Sequence, residues 1–118
     1  MSNLFGEYVR GKREALRQTD PTFSVRKTAA KIGVEPSFLS KVERGDQSPP
    51  SEVKIIALAD VLGEDRDVLL ALAGKVSSDL KDAIRKRPQL FAELIRELKN
   101  MPNHAVLRIV REVRDGKW

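Results

Sequence analysis

Between Ser24 and Gly45 the sequence SVRKTAAKIGVEPSFLSKVERG holds two short apolar-periodic segments with only a glycine corner between them. Ser24 has the side chain of a helix N-cap, so the first segment reads as a helix ending at Ile32. Gly33 stops it, since glycine takes a left-handed backbone without steric penalty. Pro36 suits the first turn of a second helix, where its missing N–H is no loss. That helix ends near Arg44 and Gly45. Two helices joined so closely must cross steeply. The crossing needs a small residue on the first helix, which is Ala29. It also needs apolar anchors on the second, which are Val34, Leu39 and Val42. Pro36, Ser37, Ser40 and Lys41 are left facing outward near the N-terminal end of the second helix. Short polar groups and one cation on such a face suit the base edges of a DNA groove.

Apolar spacing is helical nearly everywhere else, and no stretch alternates as a half-buried strand does. A first helix covers about Asn3 to Leu16, with Leu4, Tyr8, Val9 and Leu16 as its apolar positions. The dipeptide Asp20-Pro21 breaks it. A fourth helix is capped near Ser51 and ends at Leu62-Gly63. A fifth, capped by Asp65, runs Val68 to Ala73, is apolar nearly all round, and is therefore expected at the centre. Gly74 ends it. Three further helices follow: Ser78 to Lys86; one opening at Pro88 with the stripe Leu90, Phe91, Leu94, Ile95 and Leu98; and one carrying Val106, Ile109, Val110 and Val113. The expected fold is all-α, with a domain over 1–74 and a helical segment over 75–118.

The chain of 118 residues has no cysteine and one histidine, His104, which excludes a disulfide framework and any thiolate metal site. No run is long enough to span a bilayer. The start, MSNLFGEYVRGKRE, lacks the apolar core of an export signal, which places the chain in the cytoplasm by elimination. Net charge is +5, and it is unevenly spread. Lys and Arg against Asp and Glu count 9 to 6 over residues 1–50, 2 to 5 over 51–74, and 11 to 6 over 75–118. A basic front and tail favour a polyanionic partner. No nucleophile–base pair, paired acids or phosphate-cradling glycine loop is present, so neither catalysis nor a cofactor is read. Glu64, Asp65 and Asp67 fit helix capping and first-turn acids rather than a metal cluster. Arg85, Lys86 and Arg87 have two readings, contact with DNA flanking the site or a helix C-terminus whose dipole favours cations, and His104 fits a solvated helix start.

The stretch AAKIGVEPSFLSKVERG resembles the helix-turn-helix regulators of the phage Cro and lambda-repressor type, the xenobiotic-response-element family. The resemblance covers about residues 4–73 and implies a five-helix lambda-repressor-like domain. It implies that Pro36, Ser37, Ser40 and Lys41 approach base edges. It implies that Ser24 and Arg26, at the start of the second helix, meet phosphate, and that Arg44, Gln47 and Ser48 meet the flanking backbone. It also implies a structural salt bridge between Glu43 and Arg13. The chain departs from the family pattern in two places. Thr28 stands where a larger apolar residue is usual, which implies looser packing. The connection Arg17–Phe23 is long, and Phe23 is placed to fold back into the gap.

Residues 77–118 are too apolar to stay solvated, so their stripes need cover from the first domain or from a second copy. A second copy is favoured, because one short recognition helix buries little DNA-facing area. The expected function is then a dimeric repressor on a near-palindromic operator of double-stranded DNA. The alternative is an antitoxin or immunity-type protein that neutralises a partner, such as a toxin, through its C-terminal helices. A regulatory peptidase is a third partner that the family resemblance implies.

Overall fold

The first helix, α1 (Leu4–Arg17), turns Phe5, Gly6, Val9 and Arg13 inward. In this computed structural model, which describes residues 3–116, the chain continues as α2 (Val25–Ile32), α3 (Pro36–Arg44), α4 (Glu52–Leu62), α5 (Arg66–Leu72), α6 (Ser78–Lys86), α7 (Pro88–Leu98) and α8 (Asn103–Asp115). No strand occurs among the described residues, so the fold is all-α. No helix among them is long and apolar enough to cross a membrane. The chain divides into two compact units between Ser77 and Ser78.

In the first unit, α1 packs on α3, α4 and α5, while α2 packs on α3 and α4. The core gathers Phe5, Val9, Ile32, Val42, Ile55, Leu58, Ala59, Leu62, Leu69 and Leu70. Each large aliphatic side chain there contributes roughly 1.5–3 kcal/mol by leaving water. The inward stripe of α1 differs from the one its apolar residues indicate. Leu4 is 57% exposed and Tyr8 39%, whereas Phe5 and Arg13 are buried. The cause is Arg13, a charged residue that holds an interior position and so hides the true period. Tyr8 instead donates its hydroxyl to Glu64, beyond α4, which keeps the phenol protonated above its ordinary range. Helix α5 is likewise only half central: Leu69 and Leu70 are fully buried, but Val68 is 48% exposed.

The long connection after α1 contains a 3₁₀ turn, Pro21–Phe23. Asp20 caps it by accepting from the amide of Thr22 at 2.9 Å and its hydroxyl at 2.7 Å, and these bonds hold the carboxyl below its usual range. Phe23 packs against the core, and the ammonium of Lys31 lies 4.4 Å from its ring centroid.

Glycine has a distinct use inside α1. A Cβ at Gly6 would lie 2.3 Å from the carbonyl oxygen of Val42, so the absence of a side chain lets α1 meet the backbone of α3. Asn3 joins the same contact, donating its Nδ2 to the carbonyl of Glu43 at 3.0 Å.

The site of Thr28 is closed to solvent. The residue is fully buried, and its hydroxyl oxygen has no hydrogen-bond partner among the described residues. An unsatisfied buried hydroxyl costs free energy that valine, of the same shape, avoids. Thr28→Val is expected to stabilise the protein by about 1 kcal/mol, read as a higher denaturant midpoint with an unchanged slope.

In the second unit, α6 packs on α7. None of the three helices has a buried residue. Leu80, Leu90, Leu94, Ile95, Leu107, Val110 and Val113 are between 43% and 64% exposed.

Candidate nucleic-acid interface

Helices α2 and α3 are set against each other by a short chain of local bonds. Ser24 caps α2 by accepting from the amide of Lys27 at 3.2 Å. Helix α2 stops at Gly33, whose φ of 74° is the left-handed conformation that favours glycine. The amide of Val34 returns to the carbonyl of Ala29 at 3.0 Å. Ala29 is fully buried, which lets α3 lie close to α2.

A brace comes from α4. The ammonium of Lys54 donates to the carbonyls of Ile32 at 3.0 Å and Gly33 at 3.3 Å. Those carbonyls lie at the negative end of α2, where a cation is favoured. Sequence reading passed over Lys54, because its partner lies 22 residues away.

Arg13 supplies the second brace. Its Nε donates to Glu43 Oε2 at 2.7 Å and its Nη2 to Glu43 Oε1 at 2.9 Å, a two-pronged contact from α1 to α3. Its remaining donors reach the carbonyl of Phe23 and the carboxylate of Glu14, both at 3.0 Å. The hydrogen bonds to Glu43 raise the pKa of Arg13 above its ordinary value and outweigh the opposing effect of burial. Arg13 is 1% exposed and Glu43 5%, so the pair is interior structure that fixes the tilt of α3.

Along α3 the buried side is Leu39, Val42 and Glu43. The opposite side carries Ser37, Lys41 and Arg44, all exposed, with Pro36 and Ser40 half-buried on the flank nearer the scaffold. Arg44 donates from Nη1 to Ser40 Oγ at 2.8 Å and from Nε to Asp46 Oδ2 at 3.1 Å. Arg26 is exposed in the first turn of α2 and Ser24 is half-buried at its cap. Neither Arg26 nor Lys41 forms an ion pair among the described residues. Gln47 and Ser48 are exposed in the loop after α3, and they line a cavity of about 570 Å³ with Asn3, Leu4, Pro49 and Leu72.

The surface therefore combines one protruding helix face of hydroxyls and cations, an adjoining helix start with open amides, and a rigid buried support. Such a face can enter a major groove while neighbouring cations neutralise phosphates. A family model described as a helix-turn-helix domain matches residues 4–72, more than half of the chain. No curated protein matches, and no solved structure matches.

Proposed function

Since the chain belongs to the helix-turn-helix domain family, whose members bind DNA, we propose that it is a sequence-specific transcriptional regulator of the xenobiotic-response-element type that represses as a homodimer. The observation that carries the reading is the contrast along α3. Leu39 and Val42 are 2% exposed and Glu43 5%, while Ser37, Lys41 and Arg44 are exposed to solvent. Ser37, Ser40 and Lys41 read base edges, with Pro36 beside them at the helix start. Ser24 and Arg26 meet phosphate through the open end of α2. Arg44, Gln47 and Ser48 meet the flanking backbone. The direct contacts supply choice among sequences, and counterion release supplies most of the affinity.

Dimerisation is assigned to residues 75–118, on the strength of the open apolar faces of α7 and α8. Two recognition helices then sit one helical turn apart, about 34 Å, on a near-palindrome. Repression follows from occupancy: a dimer over promoter DNA excludes other proteins from it.

Selection of bound sequences from a random duplex pool, with the full chain, tests the proposal. The expected result is a motif of paired half-sites, bound less tightly as salt rises, by a protein that sediments as a dimer. Val110→Asp alters an exposed residue, so it leaves the fold intact but yields monomers that enrich only single half-sites. No enriched sequence would overturn DNA reading. A monomeric wild type that still binds single sites would overturn the dimer. In that case the apolar faces of α7 and α8 would instead serve a protein partner, the antitoxin-type reading.

A further inference from the structure

On the α1 side of α3 the surface folds into a cleft of about 200 Å³. Arg10 and Glu14 of α1, Val25 of α2, and Ser40 and Arg44 of α3 form its walls, over the Arg13–Glu43 pair. The charges in the cleft do not cancel. Arg13 and Glu43 neutralise each other. The carboxylate of Glu14 is engaged by Arg13 at 3.0 Å and Arg17 at 3.6 Å. That leaves Arg10 and Arg44 as the cations facing the space. Arg10 is exposed and forms no ion pair among the described residues. Arg44 is held by Asp46 and Ser40, but its side chain is 52% exposed. Ion pairs so open to water contribute little and are readily exchanged for a better anion. At the α2 wall, the amides of Val25 and Arg26 lie in the first turn, where no intrahelical carbonyl reaches them.

We propose that this cleft seats one backbone phosphate of bound duplex DNA, gripped between Arg10 and Arg44, with Arg10 as a phosphate-binding residue contributed from outside the helix pair. The inference rests on the DNA-binding reading and deepens it. Guanidinium forks from two different helices match a tetrahedral oxyanion, which accepts several N–H donors at once. The cleft lies on the Ser40 flank of α3, beside the outward stripe of Ser37 and Lys41, where the backbone passes when the stripe faces the bases. A phosphate held there ties α1 to the DNA and sets how deeply α3 enters the groove. It contributes affinity evenly across sequences and carries no base preference.

The test measures affinity of the full chain for its selected duplex across a salt series. In Arg10→Gln the slope of log K against log salt is expected to shrink by about 0.9, the share of one phosphate contact. Arg10→Lys should keep the wild-type slope. So should Arg66→Gln, which removes a cation flanked by Asp65 and Asp67 on another helix. A scan of neutral methylphosphonate linkages should find one position that weakens the wild type and weakens Arg10→Gln distinctly less, since Arg44 alone still holds that phosphate. Inorganic phosphate should compete with the duplex no better than other salts of equal ionic strength. A wild type that binds duplex while Arg10→Gln keeps its slope would overturn the phosphate seat and leave the regulator reading standing. A wild type with no affinity for any duplex would overturn both. Displacement of duplex by inorganic phosphate beyond the ionic-strength effect would reassign the cleft to a free anion and overturn the duplex seat.

Discussion

Glu43→Ala lowers the stability of the protein by about 4 kcal/mol, the scale of removing one partner from a buried ion pair. The magnitude follows from what is left behind. Arg13 keeps its charge, stays interior at 1% exposure, and retains only the Phe23 carbonyl and the half-exposed Glu14 as partners. Taken against a total stability of about 5–15 kcal/mol for a domain, that loss leaves much of the protein unfolded at modest denaturant. The pair need not be net stabilising for this to hold, because desolvation offsets its attraction. Replacing both partners with apolar residues, as in Arg13→Met with Glu43→Leu, should therefore recover a large part of the loss. Urea titration followed by far-ultraviolet circular dichroism measures both variants. Equal stability of Glu43→Ala and wild type would contradict the role given to the pair.

Lys41→Glu has the opposite profile. Its side chain is exposed and makes no ion pair among the described residues, so the helical spectrum and melting temperature should not change. Affinity for the selected duplex should fall by about a hundredfold or more. A lost base contact accounts for roughly 1–3 kcal/mol of that, and a carboxylate brought toward phosphates adds repulsion. The two variants separate the scaffold from the reading face. Glu43→Ala fails by unfolding, and Lys41→Glu fails while folded. Full duplex affinity in folded Lys41→Glu would remove α3 as the reading element.

Much of the fold was legible because helices are specified locally. Ser24 and Ser51 cap α2 and α4. Asp65 caps α5, and Gly33, Gly45 and Gly63 end helices in left-handed conformations. Period alone tells which residues of α3 oppose Leu39 and Val42. Where the reading missed, a distant partner had overridden the local pattern. The stripe of α1 was displaced because Arg13, which counts as polar, occupies the interior through its bond to Glu43, 30 residues on. Gly6 carries no signal in its own neighbourhood, although an isolated glycine within a helix often marks a close backbone approach. Lys54 is silent in the sequence, because nothing in its neighbourhood announces the carbonyls of α2. The cleft at Arg10 draws on three helices, and no single window of sequence contains it.

The Lys54 brace changes what counts as the recognition element. The segment 24–45 is not a transplantable unit, since its corner is clamped by an amine from α4 and its far end by a guanidinium from α1. Moved into another scaffold without those two groups, the same letters would leave the tail of α2 facing water and one acid without its counter-ion. The angle between the helices would then be set by the host, so a designer borrowing this reading head must import four helices rather than two.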